Sequence, residues 1–124
     1  MKRLTLLATL SLLAWPAAAT PEEGLSAIGD LGQLNGQALA CGNMSVASQA
    51  KKLVIAHAPK TRNYGEVFEE QTNAAFLRQG KDHAECPTDE DFAGALRSLS
   101  NRLQVALPAP PQPSPPPANQ AAGR

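Results

Sequence analysis

An all-α fold is predicted by three observations. Apolar residues recur with a helical period in four successive segments, prolines fall between those segments rather than within them, and only 4% of the 124 residues are aromatic. The expected architecture is a small bundle of about four helices over residues 20–107, stapled by one disulfide and followed by a disordered Pro-rich tail over 108–124.

The chain starts with Lys2 and Arg3, an apolar run from Leu4 to Leu13, and the small-x-small pattern Ala17-Ala18-Ala19. This is the layout of a secretory signal peptide over residues 1–19, with the mature chain beginning at Thr20. The run is too short for the ~20 residues that cross a bilayer, and no cysteine follows the cleavage site to carry a lipid. A periplasmic or secreted protein is expected, with no stable membrane insertion once the signal is removed.

In the first mature segment, Glu23 to Cys41, the residues Leu25, Ala27, Ile28, Leu31, Leu34, Ala38 and Leu39 cover more than half of a helix circumference. So wide an apolar arc marks a central helix. Gly29, Gly32 and Gly36 share one stripe, and each glycine costs about 1 kcal/mol relative to Ala inside a helix. Close approach of a neighbouring helix is the first explanation, a self-association or partner surface the second, and a break at Gly36 the third.

From Met44 to Ala58, the residues Val46, Ala50, Leu53 and His57 align and Pro59 ends the helix. The third segment carries Tyr64, Val67, Phe68, Gln71 and Ala75 on one stripe; Asn63 and Glu66 are spaced as a capping box, and Gly80 is placed to terminate it. Phe76 and Leu77 lie off that stripe and are expected to pack under the disulfide loop, with an exposed contact surface as the alternative. In the fourth, Phe92, Ala95, Leu96, Leu99, Leu103 and Ala106 share a face opposite Arg97, Asn101 and Gln104. Thr88 is its N-cap, Asp89 to Asp91 place acids in its first turn, and Pro108 stops it.

Cys41 and Cys86 are the only cysteines, and in an oxidising compartment they pair. Closing a loop of about 45 residues stabilises by at most ~4 kcal/mol in the chain-entropy model, a useful staple for so thin a core. The tail holds seven prolines between Pro108 and Pro117 and reads as an extended, solvated spacer; Pro110-Pro111-Gln112-Pro113 as a ligand for an aromatic groove is the sharper alternative.

Eleven basic and eleven acidic residues interleave, and loss of Lys2 and Arg3 leaves a net charge of −2. No basic stripe is present, so a nucleic-acid partner is not expected. Phosphate-binding loops, nucleophile elbows, haem-attachment and zinc-helix motifs are all missing, which points away from an enzyme. The acidic cluster from Asp82 to Asp91 surrounds His83 and Cys86, but helix capping and surface charge account for it, and no metal or cofactor is expected. The candidate binding loop is His57, Lys60, Arg62 and Tyr64. Its two cations can clamp an anion near a helix N-terminus, against the simpler reading of a solvated turn and a His57 satisfied within the core.

The layout of signal peptide, small helical body and two distant cysteines resembles that of acid-stress periplasmic chaperones and helical periplasmic immunity proteins, without a shared motif. The expected function is that of a non-enzymatic protein-binding or adaptor protein, such as an inhibitor or immunity factor, whose partner is another exported or periplasmic protein. A periplasmic acid-stress holdase, or a small-ligand or anion-binding protein, is the alternative. Intact mass and N-terminal sequencing of native material should find a chain starting at Thr20 with no free thiol; a Met1 terminus with two free thiols would contradict both expectations.

Overall fold

The structure, a computed structural model, describes residues 19–110. The expected signal peptide and the Pro-rich tail lie outside the described residues except for Ala19 and for 108–110. Four helices form: α1, Pro21–Ala40; α2, Met44–His57; α3, Arg62–Lys81; and α4, Asp89–Ala106. Among the described residues there is no strand, and no helix is long and apolar enough to cross a membrane.

Helix α1 packs against all three others, as its wide apolar arc requires, and α2 also meets α4. Ala27, Ile28, Leu31 and Ala38 are fully buried. One apolar cluster joins Ala27, Ile28 and Leu31 to Ala50, Tyr64 and Leu103; a second joins Leu34 and Ala38 to Val46, Ala47, Phe92 and Leu96. Successive helices run antiparallel, yet the tightest pair, α1 and α3, is parallel: Gly29 lies beside Val67, Gly32 beside Phe68 and Gln71, and Gly36 beside Thr72 and Ala75.

The glycine stripe is the seat of α3. A Cβ at Gly29 would make ordinary contact with Val67 at 3.4 Å, whereas one at Gly32 would stand 2.6 Å from the carbonyl oxygen of Phe68. At Gly36 it would overlap the Thr72 carbonyl oxygen outright. The two helices therefore converge toward the end of α1 that carries Cys41, and only hydrogen side chains permit the approach. Helix α1 continues through Gly36 without a break.

Helix ends are set by local chemistry. Thr20 and Glu23 form a capping box at α1, and Thr88 and Asp91 form another at α4, where three acids occupy the first turn. Gly42 (φ 73°) closes α1 in a Schellman turn, with Asn43 N–H donating to Ala38 O at 2.8 Å and Gly42 N–H to Leu39 O at 3.2 Å. Asn43 then caps α2 by accepting from Val46 N–H at 3.1 Å, and its Nδ2 donates to Asp89 on α4 at 3.2 Å. The Cys41–Cys86 disulfide, with Cα atoms 5.8 Å apart, ties this same corner to the approach of α4.

Two expected boundaries shift. Helix α3 begins at Arg62 behind Thr61, not behind Asn63, and no side chain caps it; Asn63 Oδ1 instead accepts from the Thr61 hydroxyl at 2.6 Å, and Glu66 pairs with Arg62 one turn earlier. At the other end α3 runs past Gly80 to Lys81, and His83, with φ 49°, takes the left-handed conformation that was expected of a glycine.

The stripe yields a paired test. Gly36→Ala forces a Cβ into the Thr72 backbone and should destabilise by about 1–3 kcal/mol in chemical denaturation. Gly94→Ala, in the interior of α4, meets nothing nearer than Arg97 Nη2 at 3.9 Å and should stabilise by up to ~1 kcal/mol. A Gly36→Ala chain as stable as the parent would refute the close approach.

Candidate functional site

Helix α3 packs mainly on α1, so it stands off from α2 on one side and from α4 on the other. Each gap is an open groove floored by α1. The α3–α4 groove, about 480 Å³, is mixed, with Asp30, Gln33, Gln37 and Arg78 beside Leu34 and Leu99 among its lining residues. The α2–α3 groove, about 530 Å³, is more apolar: Leu39, Val54, Ile55 and Phe68 line it, Asn35 and Thr72 contribute polar atoms, and Lys51 and Glu69 stand on opposite walls.

Between the grooves, α3 is fastened by amides. Gln33 donates to Gln71 at 3.1 Å, Asn35 to the Thr72 hydroxyl at 3.2 Å, and Gln37 to Gln79 at 3.2 Å. Gln79 passes the connection onward, its Nε2 donating to Ala84 O at 2.6 Å in the loop that holds Cys86. Asn35 is only 1% exposed, and its Oδ1 has no partner among the described residues. A buried polar atom left so costs about 1–3 kcal/mol. On the α4 side of α1, Arg102 reaches back to Asp30 and to Ser26, the latter at 2.9 Å.

The candidate binding loop is dispersed into structural roles. His57 is buried, and its Nδ1 donates to Leu107 O at 2.7 Å, anchoring the end of α4. Tyr64 is buried with its hydroxyl near Gly24. Lys60 Nζ donates to Ile55 O at 3.0 Å near the end of α2, and Arg62 pairs with Glu66 at 2.7 Å on an open surface. None of these four residues lines either groove. His83 and the carboxylates around it are exposed, and among the described residues no three His, Cys, Asp or Glu side chains converge as a metal would require.

Phe76 and Leu77 correct an expectation. Neither packs under the disulfide loop: Phe76 is 46% exposed and Leu77 66%. Leu77 sits about 200° around the helix from the buried Ala75, hence facing away from α1, while Phe76 flanks the seam. The exposed apolar positions Met44 and Ile55, the latter 67% exposed, carried no flag in the sequence because a helix of alternating apolar and polar residues does not reveal which neighbour fails to cover it.

Comparison with protein families, characterised proteins and solved structures finds no match to this chain. Its surfaces are therefore the guide to its function.

The amide seam can be probed directly. Thr72→Val keeps the shape but strands the Asn35 amide, and should lower stability by about 1–3 kcal/mol. Arg62→Ala, which removes only a surface pair, should leave the melting temperature unchanged. Equal effects of the two substitutions would remove the seam's special role.

Proposed function

We propose that this protein is a non-enzymatic binding or adaptor protein of the periplasm or extracellular space, acting on another exported protein in the manner of an inhibitor or immunity factor. The observation that carries the reading is the α2–α3 groove: open, apolar-lined and bordered by exposed Ile55, it suits contact with a macromolecular surface better than enclosure of a reacting substrate. The side chains best suited to acid-base or anion chemistry in the candidate loop are engaged elsewhere. His57 holds Leu107, Lys60 holds the end of α2, and Arg62 faces Glu66. A structural disulfide supports an oxidising compartment, and the sequence before Thr20 supports export into it.

The acid-stress holdase reading has less support, because the seam that fastens α3 is made of Gln, Asn and Thr side chains that do not titrate. The small-ligand and anion-binding readings have no support from the loop that suggested them.

A photoreactive residue placed in turn at the exposed positions Met44, Ile55, Leu77 and Val105 of the full chain, expressed in its own host, tests the proposal. Cross-linking to one recurrent exported polypeptide from at least one position is expected. No cross-link from any position would sink it.

A further inference from the structure

The adaptor reading leaves the chemistry of the partner open, whereas the α2–α3 groove specifies it. Resting on that reading, we infer that this groove seats one amphipathic helix of the partner protein, whose apolar stripe is flanked by acidic residues toward α2 and by basic residues toward α3.

First, the groove is longer than its central stretch. Met44 precedes Lys51 by seven residues and Ile55 by eleven, close to whole numbers of helical turns, so it shares their stripe of α2, at the end where it also borders the cavity beside Cys41 and Cys86. Phe76 follows Thr72 by four and Phe68 by eight, and so continues the α3 wall. Met44, Ile55 and Phe76 are three of the five large apolar side chains that the described residues leave exposed. From Phe68 to Phe76 the wall rises about 12 Å, which matches anchors at i, i+4 and i+7 of a docked helix.

Second, the walls are themselves helices whose backbone groups are already bonded; Asn35 Nδ2 is spent on the Thr72 hydroxyl, which leaves Asn35 Oδ1 and the exposed Asn73 side chain as the lining amide groups, too few to pair a whole extended segment. An extended segment laid in such a groove would bury its own amides and carbonyls without partners. A helix satisfies them internally. A groove between two helices floored by a third is also the position that the next helix of a bundle occupies.

Third, the walls differ in sign. Lys51 stands on the α2 side, with exposed Lys52 one position further round; Glu69 stands on the α3 side, while Glu66, one turn away, is already paired with Arg62. A helix with opposite charges on its two flanks meets both walls favourably, while one with a single sign meets repulsion on one of them.

The test uses the full exported chain and a synthetic Ala-based helical peptide of about 18 residues, with Leu at i, i+4, i+7 and i+11, Glu along one flank and Lys along the other. Calorimetric titration should show it binding roughly tenfold or more tightly than otherwise identical peptides whose flanks are all Glu or all Lys. Ile55→Asp and Phe76→Asp, both at exposed positions, should each weaken binding roughly tenfold or more. Val105→Asp, at a still more exposed position but on α4, should leave it unchanged. Equal binding of the three peptides, or undiminished binding by Ile55→Asp, would overturn the inference. So would a concentration-dependent dimer abolished by Ile55→Asp, since a second copy would then be the occupant. Cross-linking of a partner from Val105 but not Ile55, with no peptide binding, removes this groove and leaves the adaptor reading standing.

Discussion

The parallel approach of α3 to α1 across Gly29, Gly32 and Gly36 organises this small fold. At Gly36 the backbone of α3 occupies the volume where any other side chain would begin, and at Gly32 the margin is little larger. Backbones so close leave no room for large apolar side chains at the centre of the contact, so adhesion there comes from dispersion between main chains and from the Gln33, Asn35 and Gln37 amides along the seam, while Tyr64 and Phe68 add apolar contact toward the start of α3. Because α3 is drawn onto α1 alone, it cannot also close against α2 and α4. The two open grooves follow from the glycines.

Beside that seam, several covalent and hydrogen-bonded ties gather at one corner. Gly42 ends α1, Asn43 caps α2 and reaches Asp89, and the disulfide joins Cys41 to the segment that feeds α4. A corner that fixes three helix ends limits how the bundle can fray, which suits a domain of some ninety residues that buries a modest core. At the opposite end, His57 and Leu107 hold the ends of α2 and α4 together. His57, on the apolar stripe of α2, is thus a fastener, in keeping with the reading of an imidazole satisfied within the core.

What the sequence made legible was whatever depended on period and caps. The four helices, the centrality of α1, the Thr88 cap and the close approach at the glycine stripe all follow from spacing that a single helix displays, and the pairing of the cysteines follows from there being only two of them. What it concealed depended on which partner a helix meets. Asn63 and Glu66 had the spacing of a capping box, but Arg62 gave Glu66 a different partner and the helix started earlier. Gly80 looked like a terminator, yet nothing required a glycine there, and His83 supplied the left-handed residue two positions beyond the helix end. The grooves were invisible for the same reason: Phe76, Ile55 and Met44 read as ordinary apolar residues until α3 was seen to stand apart from α2.

That separation gives the α2–α3 surface its functional interest, and it stands or falls with the seating of α3. The most direct measurement is hydrogen exchange of the native chain, residue by residue. The account predicts that the amides of Leu31 to Gly36 in α1 and of Thr72 to Phe76 in α3, which lie together at the narrowest part of the seam, are protected to a similar degree and open as one unit. Rapid exchange through the whole of α3 while α1 stays protected would contradict it, because α3 would then not be held by α1 at all.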